Sequence, residues 1–503
     1  MKRKRALILL LAVITVCAAI SVPGVAADAP GHTIRILSPS VAFNMNDDPV
    51  ADILKNETGF DVEYGYYATN EALALEVSSG TDYDLLRIRG QMYQTLLSAG
   101  ALKDISGLLE QYPDIKEAIA EQGWTYVAGD NGGIYGIPTV DDAVYVGGIV
   151  YRTDIFDRYG YSEPATLDDF YRLLKQIKAD TGLIPLTGRT AVEPVIASAF
   201  GLSYDFVVDP EKNEIVSWLR LDGMKDYLAW MHNAYTEGLI DIDWPVNSDD
   251  NINSKMSSGK AVMSYAAHWS TLNWVNALRE NGSPDAYFKT IVPLEDADGR
   301  RHIAVANGVS EVTGIPVTAS DEDALYALSL VSARLKPETY WAFNAGYEGI
   351  HYTKDENGIP TPILPKFNDD MNHGNEYQTG RNKTEHPITW MARVRKSQVQ
   401  WDTFYDANKK AALYGFEGKP LTFAQFPEYA DYYDSLAALC NEYFLQVISG
   451  TETLDHYDEF VKQWEEQGGL ELERAATEWY HAHPELVDRG SKSVSPYMKM
   501  FGF

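Results

Sequence analysis

Aspartate-rich and histidine-rich segments are the parts of this 503-residue sequence that could bind a metal ion. The segment 241–250 holds four aspartates and Asn247, oxygen ligands that suit calcium; a solvated loop is the alternative. The segment 296–299 resembles half of a calcium loop but lacks the glutamate at the twelfth position, which favours a polar turn. His481 and His483, two residues apart, would face different ways on a helix. We predict no metal site and no cofactor.

The sequence lacks the motifs of common catalytic machinery. It contains no G-x-x-x-x-G-K-[ST] phosphate loop, no H-E-x-x-H zinc motif and no G-x-S-x-G nucleophile elbow. A glycosidase needs only two carboxylates about 5–10 Å apart, and 72 acidic residues supply many such pairs. The missing motifs lead us to predict that the protein is not an enzyme and has no catalytic residues. Because carboxylate pairs are so common, a secreted carbohydrate-active enzyme is the alternative.

Aromatic residues suggest the binding of sugars instead. The chain has 11 Trp and 32 Tyr, whose rings stack on apolar sugar faces while their O–H and N–H groups form hydrogen bonds. Trp269 follows a strand-like run and is predicted to line a site, with a core position as the alternative. Tyr347, Glu348 and His351 are candidates because they lie in a glycine-flanked loop, and Trp390 is a further candidate; a structural role is the alternative for these four.

The elements that position these residues alternate between strand and helix. Residues 33–37, 60–66 and 85–88 read as strands, and helices that begin at Asp48, Asn70 and residue 91 separate or follow them. This βαβαβ order predicts a mostly parallel sheet with helices on both faces.

Ligands of such sheets bind at the carboxyl ends of the strands, which makes Arg89 and Gln91 candidate ligand-binding residues. Arg87 lies on the same face as Arg89. The two guanidinium groups could bind a uronate, or they could form an ion pair within the lobe.

A second α/β segment begins near residue 145. Thr166 and Asp169 predict a capping box that opens a helix ending at Gly182. Further helices are predicted at 221–236 and 321–335, and the chain from about residue 423 reads as helical. The fold class is therefore predicted to be α/β with a helical C-terminal region.

The N-terminus has the layout of a secretory signal peptide. Four basic residues precede an apolar run and small residues up to Ala27, which predicts cleavage there and an extracellular, cell-surface protein. An uncleaved anchor or lipidation of Cys17 are the alternatives. The predicted mature chain has 38 basic and 72 acidic residues, which argues against binding to nucleic acid. Its single cysteine, Cys440, excludes an intramolecular disulfide.

Several phrases in order along the chain resemble the extracellular solute-binding protein family 1, particularly its large Gram-positive, oligosaccharide-type members. They are GALKDI at 100–105, GIYGIP at 133–138, YRTDIF at 151–156, PATLDDF at 164–170, EGLID at 237–241, SGKAVM at 258–263, YEGIHY at 347–352, and ISG at 448–450 with LDHYD at 454–458.

The resemblance implies two α/β lobes of periplasmic-binding-protein type, with a hinge between them and the ligand in the cleft. The expected division is 1–27 signal peptide, 28–140 first lobe, 141–306 second lobe, 307–365 return to the first lobe and 366–503 helical part of the second lobe. On this reading Asp141 and Asp142 lie in a crossover, where they could accept hydrogen bonds from sugar hydroxyl groups or cap a turn.

The resemblance also implies the substrate-binding component of an ABC importer. We expect a monomer that captures a carbohydrate, in particular an oligosaccharide, and delivers it to the transmembrane permease subunits. A receptor for a peptide or a polyol is the alternative.

Overall fold

The computed structural model describes the following residues: 33–90, 92–129, 131–145, 147–414, 420–424, 426–486 and 500. Their strands are β1 (Ile34–Pro39), β2 (Val62–Tyr67), β3 (Leu85–Arg89), β4 (Ile137–Val144), β5 (Gly147–Arg152), β6 (Ile184–Thr187), β7 (Phe206–Asp209), β8 (Glu214–Ser217), β9 (Ala261–Ala267), β10 (Phe288–Ile291), β11 (Ala306–Gly314), β12 (Tyr352–Lys354) and β13 (Pro360–Pro362).

The α-helices between and after these strands carry most of the remaining chain. They are α1 (Pro49–Thr58), α2 (Asn70–Ser78), α3 (Met92–Ser98), α4 (Pro113–Ala118), α5 (Glu121–Tyr126), α6 (Thr153–Tyr159), α7 (Leu167–Thr181), α8 (Pro194–Ala197), α9 (Gly223–Thr236), α10 (Asp249–Ser257), α11 (Thr271–Glu280), α12 (Asp321–Leu335), α13 (Pro337–Asn344), α14 (Lys366–Met371), α15 (His386–Val394), α16 (Gln398–Ala412), α17 (Pro427–Ser449), α18 (Tyr457–Trp464) and α19 (Leu470–Ala482).

Two sheets organise these elements into an α/β fold with two lobes. The first sheet has the strand order β2-β1-β3-β11-β4, in which β1, β2 and β3 are parallel and β11 pairs antiparallel with both β3 and β4. The second sheet has the order β10-β5-β9-β6, in which only β6 and β9 are parallel. The predicted βαβαβ start and its parallel pairing are confirmed.

The chain passes between the two sheets beside the paired strands β4 and β11. The chain leaves the first sheet at the end of β4, enters the second with β5, and returns to the first with β11. The β4–β11 pair has register shifts between Ala306 and Gly308 and between Val309 and Glu311. Such bulges bend and twist a paired ribbon locally, at the place where the chain passes between the lobes.

The helix boundaries follow the capping residues that the sequence indicates. The side chain of Asp48 accepts a hydrogen bond from the Val50 N–H at the start of α1, and Gly59 ends this helix in the left-handed region. Thr166 and Asp169 form the capping box of α7. α2 begins at Asn70, as predicted, and its cap is the preceding Thr69, whose hydroxyl accepts a hydrogen bond from the Ala72 N–H.

One face of α7 is apolar and buried. Phe170, Leu173, Leu174 and Ile177 are all less than 5% exposed. Each such side chain stabilises the fold by about 1.5–3 kcal/mol relative to an exposed position.

The C-terminal region is helical from α14 onward, and its first part lies against the first lobe. His373 stacks on Phe43 with ring centroids 3.7 Å apart, and the Tyr377 hydroxyl donates to the Met45 carbonyl. The helices α16, α17 and α19 pack on elements of the second lobe, including β10, α9 and β8. The expected division at residue 366 stays a prediction, and these contacts favour a later one. No helix among the described residues is long and apolar enough to cross a membrane.

Candidate functional site

The edges of the two sheets meet where the chain first crosses between the lobes. Because β3 and β4 both pair antiparallel with β11, they end at the same edge of the first sheet. β4 ends at Val144 and β5 begins at Gly147, which is paired with Ala267 at the end of β9. Two residues therefore separate the two edges. We call the space that they flank the crossover cleft, with Arg89 and Asp141 on the first-lobe edge and Tyr265 and Trp269 on the second-lobe edge.

An arginine–glutamate network forms the first-lobe edge. Arg87 is buried and donates to both carboxylate oxygens of Glu311 at 2.6 and 3.0 Å, and to the Ser38 hydroxyl at 2.9 Å. Arg89 donates to the same carboxylate at 3.1 Å and lies 3.4 Å from a carboxylate oxygen of Glu376, but its side chain is half exposed. The arginines therefore form an ion-pair network within the lobe, and only Arg89 also faces solvent.

Asp141 is fixed beside this network. Its carboxylate accepts hydrogen bonds from Arg381 and, at 3.0 Å, from the Ser310 hydroxyl of β11. Asp142 is the next residue of β4 and is half-buried. Asp141 therefore links β4, β11 and the segment before α15 at the edge where Arg89 lies.

Aromatic rings form the second-lobe edge. Trp269 is 55% exposed and Tyr265 is 41% exposed, so both rings remain open to a ligand. Behind Trp269, the buried His268 ring contacts Trp269, Trp390 and Phe404 edge to face, with centroids 5.0–5.6 Å apart. The structure thus brings Trp269 and Trp390 into one cluster. Trp390 packs on the buried His268 ring behind Trp269, and Trp269 is exposed.

Buried polar groups lie under this aromatic edge. The Glu193 side chain is 1% exposed; one carboxylate oxygen accepts from the Ile196 N–H and the other has no partner among the described residues. The Tyr145 hydroxyl, also buried, has no partner there either. Glu193 faces Tyr145, Tyr227 and Tyr265, and burial raises the pKa of its carboxyl to about 7.

This raised pKa predicts a pH-dependent stability that Glu193→Gln removes. The native state holds the Glu193 proton up to about pH 7, whereas an unfolded Glu loses it near pH 4.3. The wild type therefore loses stability as pH rises from about 4.5 to 7, by about 3 kcal/mol in total. Glutamine keeps an acceptor for the Ile196 N–H without the buried charge. We expect the free energy of unfolding of Glu193→Gln, measured with urea, to exceed that of the wild type by about 2–3 kcal/mol at pH 8 and to equal it at pH 4.5.

A control at an exposed glutamate separates this effect from general charge removal. Glu322 is exposed in the first turn of α12, so Glu322→Gln should change the free energy of unfolding by less than about 0.5 kcal/mol at both pH values. A Glu193→Gln difference that is the same at pH 4.5 and pH 8 would contradict the burial of an ionised carboxylate.

Tyr347, Glu348 and His351 lie away from the crossover cleft. The Tyr347 hydroxyl donates to Glu57 at 2.7 Å, near the end of α1, and α1 runs back from the carboxyl end of β1 toward the opposite edge of the sheet. His351 is buried, accepts from the Tyr347 N–H and lies 3.1 Å from Asp370. Glu348 is 3.4 Å from Lys354. These contacts give the three side chains a structural role in holding the loop. Gln91, another predicted ligand-binding residue, lies outside the described residues.

Carboxylates in the two aspartate-rich segments pair with basic side chains. The Lys255 ammonium lies 2.6 Å from Asp241 and 2.8 Å from Asp243, and it also donates to Asn247. Asp296 accepts from two backbone N–H groups of its own turn and lies 2.9 Å from His302. Within the described ranges, no group of three or more His, Cys, Asp or Glu side chains could hold a metal ion.

Sequence reasoning missed several residues of the cleft. Tyr145, Glu193, Tyr265, Glu311 and Arg381 are brought there by strand pairing and packing between distant segments. Tyr265 alone had a local signal, because it lies in the strand-like run before Trp269, four residues away.

Comparison with known proteins agrees with this architecture. The family model for bacterial extracellular solute-binding proteins matches residues 50–352. An uncharacterized protein in the butB 5′ region of Niallia circulans is 34% identical over 261 residues, which cover 51% of this chain and 98% of that protein. The polygalacturonan/rhamnogalacturonan-binding protein YtcQ of Bacillus subtilis is 20% identical over 408 residues, which cover 76% of this chain and 77% of YtcQ.

A solved structure shows the same two-lobed fold. The ABC-transporter substrate-binding protein FusA of S. pneumoniae, in complex with kestose, superposes with a TM-score of 0.66 at 16% identity, covering 90% of this chain and 100% of FusA. The family match spans more than half of the chain, from α1 to the start of β12. This chain therefore belongs to the bacterial extracellular solute-binding protein family.

Proposed function

We propose that this protein is an extracellular receptor that captures an oligosaccharide in the crossover cleft and delivers it to the membrane subunits of an ABC importer. One observation carries the proposal: the exposed rings of Trp269 and Tyr265 lie on one edge of the cleft, and the charged groups of Arg89 and Asp141 lie on the other. A sugar has apolar ring faces and a polar hydroxyl rim, and this pair of edges is complementary to both.

The ligands of two similar proteins support a sugar. YtcQ is described as binding polygalacturonan and rhamnogalacturonan, and FusA was solved with kestose. Arg89 adds a half-exposed guanidinium group that could donate hydrogen bonds to a uronate carboxylate. In this proposal the protein acts as a monomer at the cell surface, binds no nucleic acid and does not convert its ligand.

Closure of the lobes is part of the proposal. The β4–β11 pair and the segment before α16 connect the lobes, and the bulges of β11 lie at the crossover. A hinge at this place would bring the two edges of the cleft together on a ligand, which is the closure typical of such two-lobed proteins.

A thermal-shift screen of residues 28–503 tests the ligand class. The panel consists of mono- and oligosaccharides, uronosaccharides, peptides and polyols. A ligand at 100 times its dissociation constant should raise the free energy of unfolding by about 2.7 kcal/mol, enough to move the midpoint by a few degrees. A shift with one sugar class supports the proposal. A shift with peptides or polyols alone would overturn the carbohydrate assignment.

A further inference from the structure

A cavity of about 570 Å³ lies in the second lobe beside the crossover cleft. One wall is the face of α17 that carries Leu436, Ala437 and Cys440, and α18 and α19 close its far end. The other wall consists of the segments 189–192, 202–206 and 217–218, together with Pro194. Its volume falls within the range of about 300–1,000 Å³ that small-molecule sites occupy.

The lining of this cavity is apolar at its floor and polar at its rim. Leu436, Phe444 and Trp464 are each 2% exposed or less, and the half-buried Trp218 adds an aromatic ring. Arg189, Thr190 and Asn441 are exposed at the rim, and the half-buried Asp205, which accepts a hydrogen bond from Tyr433, also lines the cavity. An apolar floor with hydrogen-bonding groups at the rim suits one or two sugar rings.

The position of the rim connects the cavity to the cleft. β6 is parallel to β9, with Thr187 opposite Ser264, so both strands end at the same edge of the second sheet. Arg189 and Thr190 follow β6 by two and three residues, Tyr265 follows Ser264 on the neighbouring β9, and Trp269 lies two residues beyond the end of β9. A chain of sugars that lies across the aromatic edge can therefore extend past β6 toward the cavity.

We propose that this cavity is an end subsite for the terminal one or two rings of the oligosaccharide, so that it determines which chain lengths bind tightly. The inference rests on the proposed function, because it assigns one end of the same ligand. Short sugars fill only the crossover cleft, whereas longer ones gain the additional contacts of the cavity.

A pair of tryptophan variants on α17 tests the subsite. Ala437 is exposed and lines the cavity, whereas its neighbour Ala438 is exposed and does not. Ala437→Trp should therefore obstruct the mouth of the cavity, and Ala438→Trp adds the same side chain on the same helix outside it. Because both positions are exposed, both variants should fold with thermal midpoints close to that of the wild type.

The measurement is calorimetric titration of residues 28–503 and of both variants with galacturonate, fructose and mannose oligomers of one to six units. In the series that binds the wild type, Ala437→Trp should weaken the longest oligomers by about ten-fold or more and leave the shortest binding oligomer unchanged. Ala438→Trp should match the wild type at every length.

Other outcomes would overturn the subsite in distinguishable ways. Equal affinities of the two variants at every length would remove the cavity from the binding site while the receptor function stands. Weakening of all lengths by the same factor would show that the cavity is not an end subsite. If neither these series nor any sugar of the thermal-shift panel binds the wild type, the proposed function and the subsite fail together.

Discussion

Trp269→Ala is expected to weaken sugar binding by about 10- to 100-fold without lowering the stability of the fold. The Trp269 residue is 55% exposed, and its ring contacts His268 edge to face. Its removal therefore costs little packing in the free protein. A tryptophan that anchors a ligand typically contributes about 2 kcal/mol or more to binding. Calorimetric titration with the sugar found in the thermal-shift screen measures the effect.

An exposed tyrosine elsewhere in the second lobe provides the matched control. Tyr159 is 41% exposed and stacks on Tyr161 at the end of α6, in the stretch that leads to α7. Tyr159→Ala should leave the dissociation constant unchanged. If Trp269→Ala binds the sugar as tightly as Tyr159→Ala does, the aromatic edge does not form the site.

Glu311→Ala is expected to destabilise the protein by about 3–5 kcal/mol. The Glu311 carboxylate is 5% exposed and neutralises Arg87, which is 3% exposed and cannot lose its proton. Without Glu311, the hydrogen-bond acceptors that remain for the buried guanidinium among the described residues are the Ser38 hydroxyl and the Glu376 backbone carbonyl. A buried charge that loses its partner carries this large penalty. Urea unfolding followed by tryptophan fluorescence measures it.

A solvent-exposed ion pair sets the scale for comparison. Lys225 and Asp458 lie 2.7 Å apart, but their side chains are 48% and 86% exposed. Asp458→Ala should therefore cost less than about 1 kcal/mol. If Glu311→Ala lowers the free energy of unfolding by as little as Asp458→Ala does, water reaches the Arg87 network.

Local sequence signals predicted the helices well, because the physics that ends a helix is local. Asp48, Gly59, Thr166 and Gly182 each satisfy orphan backbone groups or supply a left-handed residue within one turn of the boundary. α2 also begins at the predicted Asn70, and the structure adds its capping residue, Thr69, whose hydroxyl accepts a hydrogen bond from the Ala72 N–H.

The candidate site was less predictable because it forms between distant segments. The carboxyl-end rule placed Arg89 at an edge of the first sheet, and the strand-like run before Trp269 placed that residue at an edge of the second sheet, since each inference needs only one strand. Glu193, which caps α8, and Tyr145, which precedes β5, lie close together because α8 packs on β5, and no local pattern encodes this contact.

The glycine-flanked loop shows the converse problem. The glycines around Tyr347 correctly indicate a turn, and Gly346 has a φ of 85° with the His351 ring about 2.5 Å from where a Cβ would lie. A turn signal does not tell at which edge of a sheet the turn lies. The contact of Tyr347 with Glu57 places the loop by α1 instead of the cleft.

The most direct test of the receptor function is calorimetric titration of residues 28–503 with the sugar identified by the screen, followed by mass spectrometry of the sugar recovered after long incubation. We predict saturable binding of one sugar molecule per chain and recovery of the sugar unchanged. The absence of saturable binding by any sugar would contradict carbohydrate capture in the cleft, and recovery of a shortened sugar would show that the protein is an enzyme.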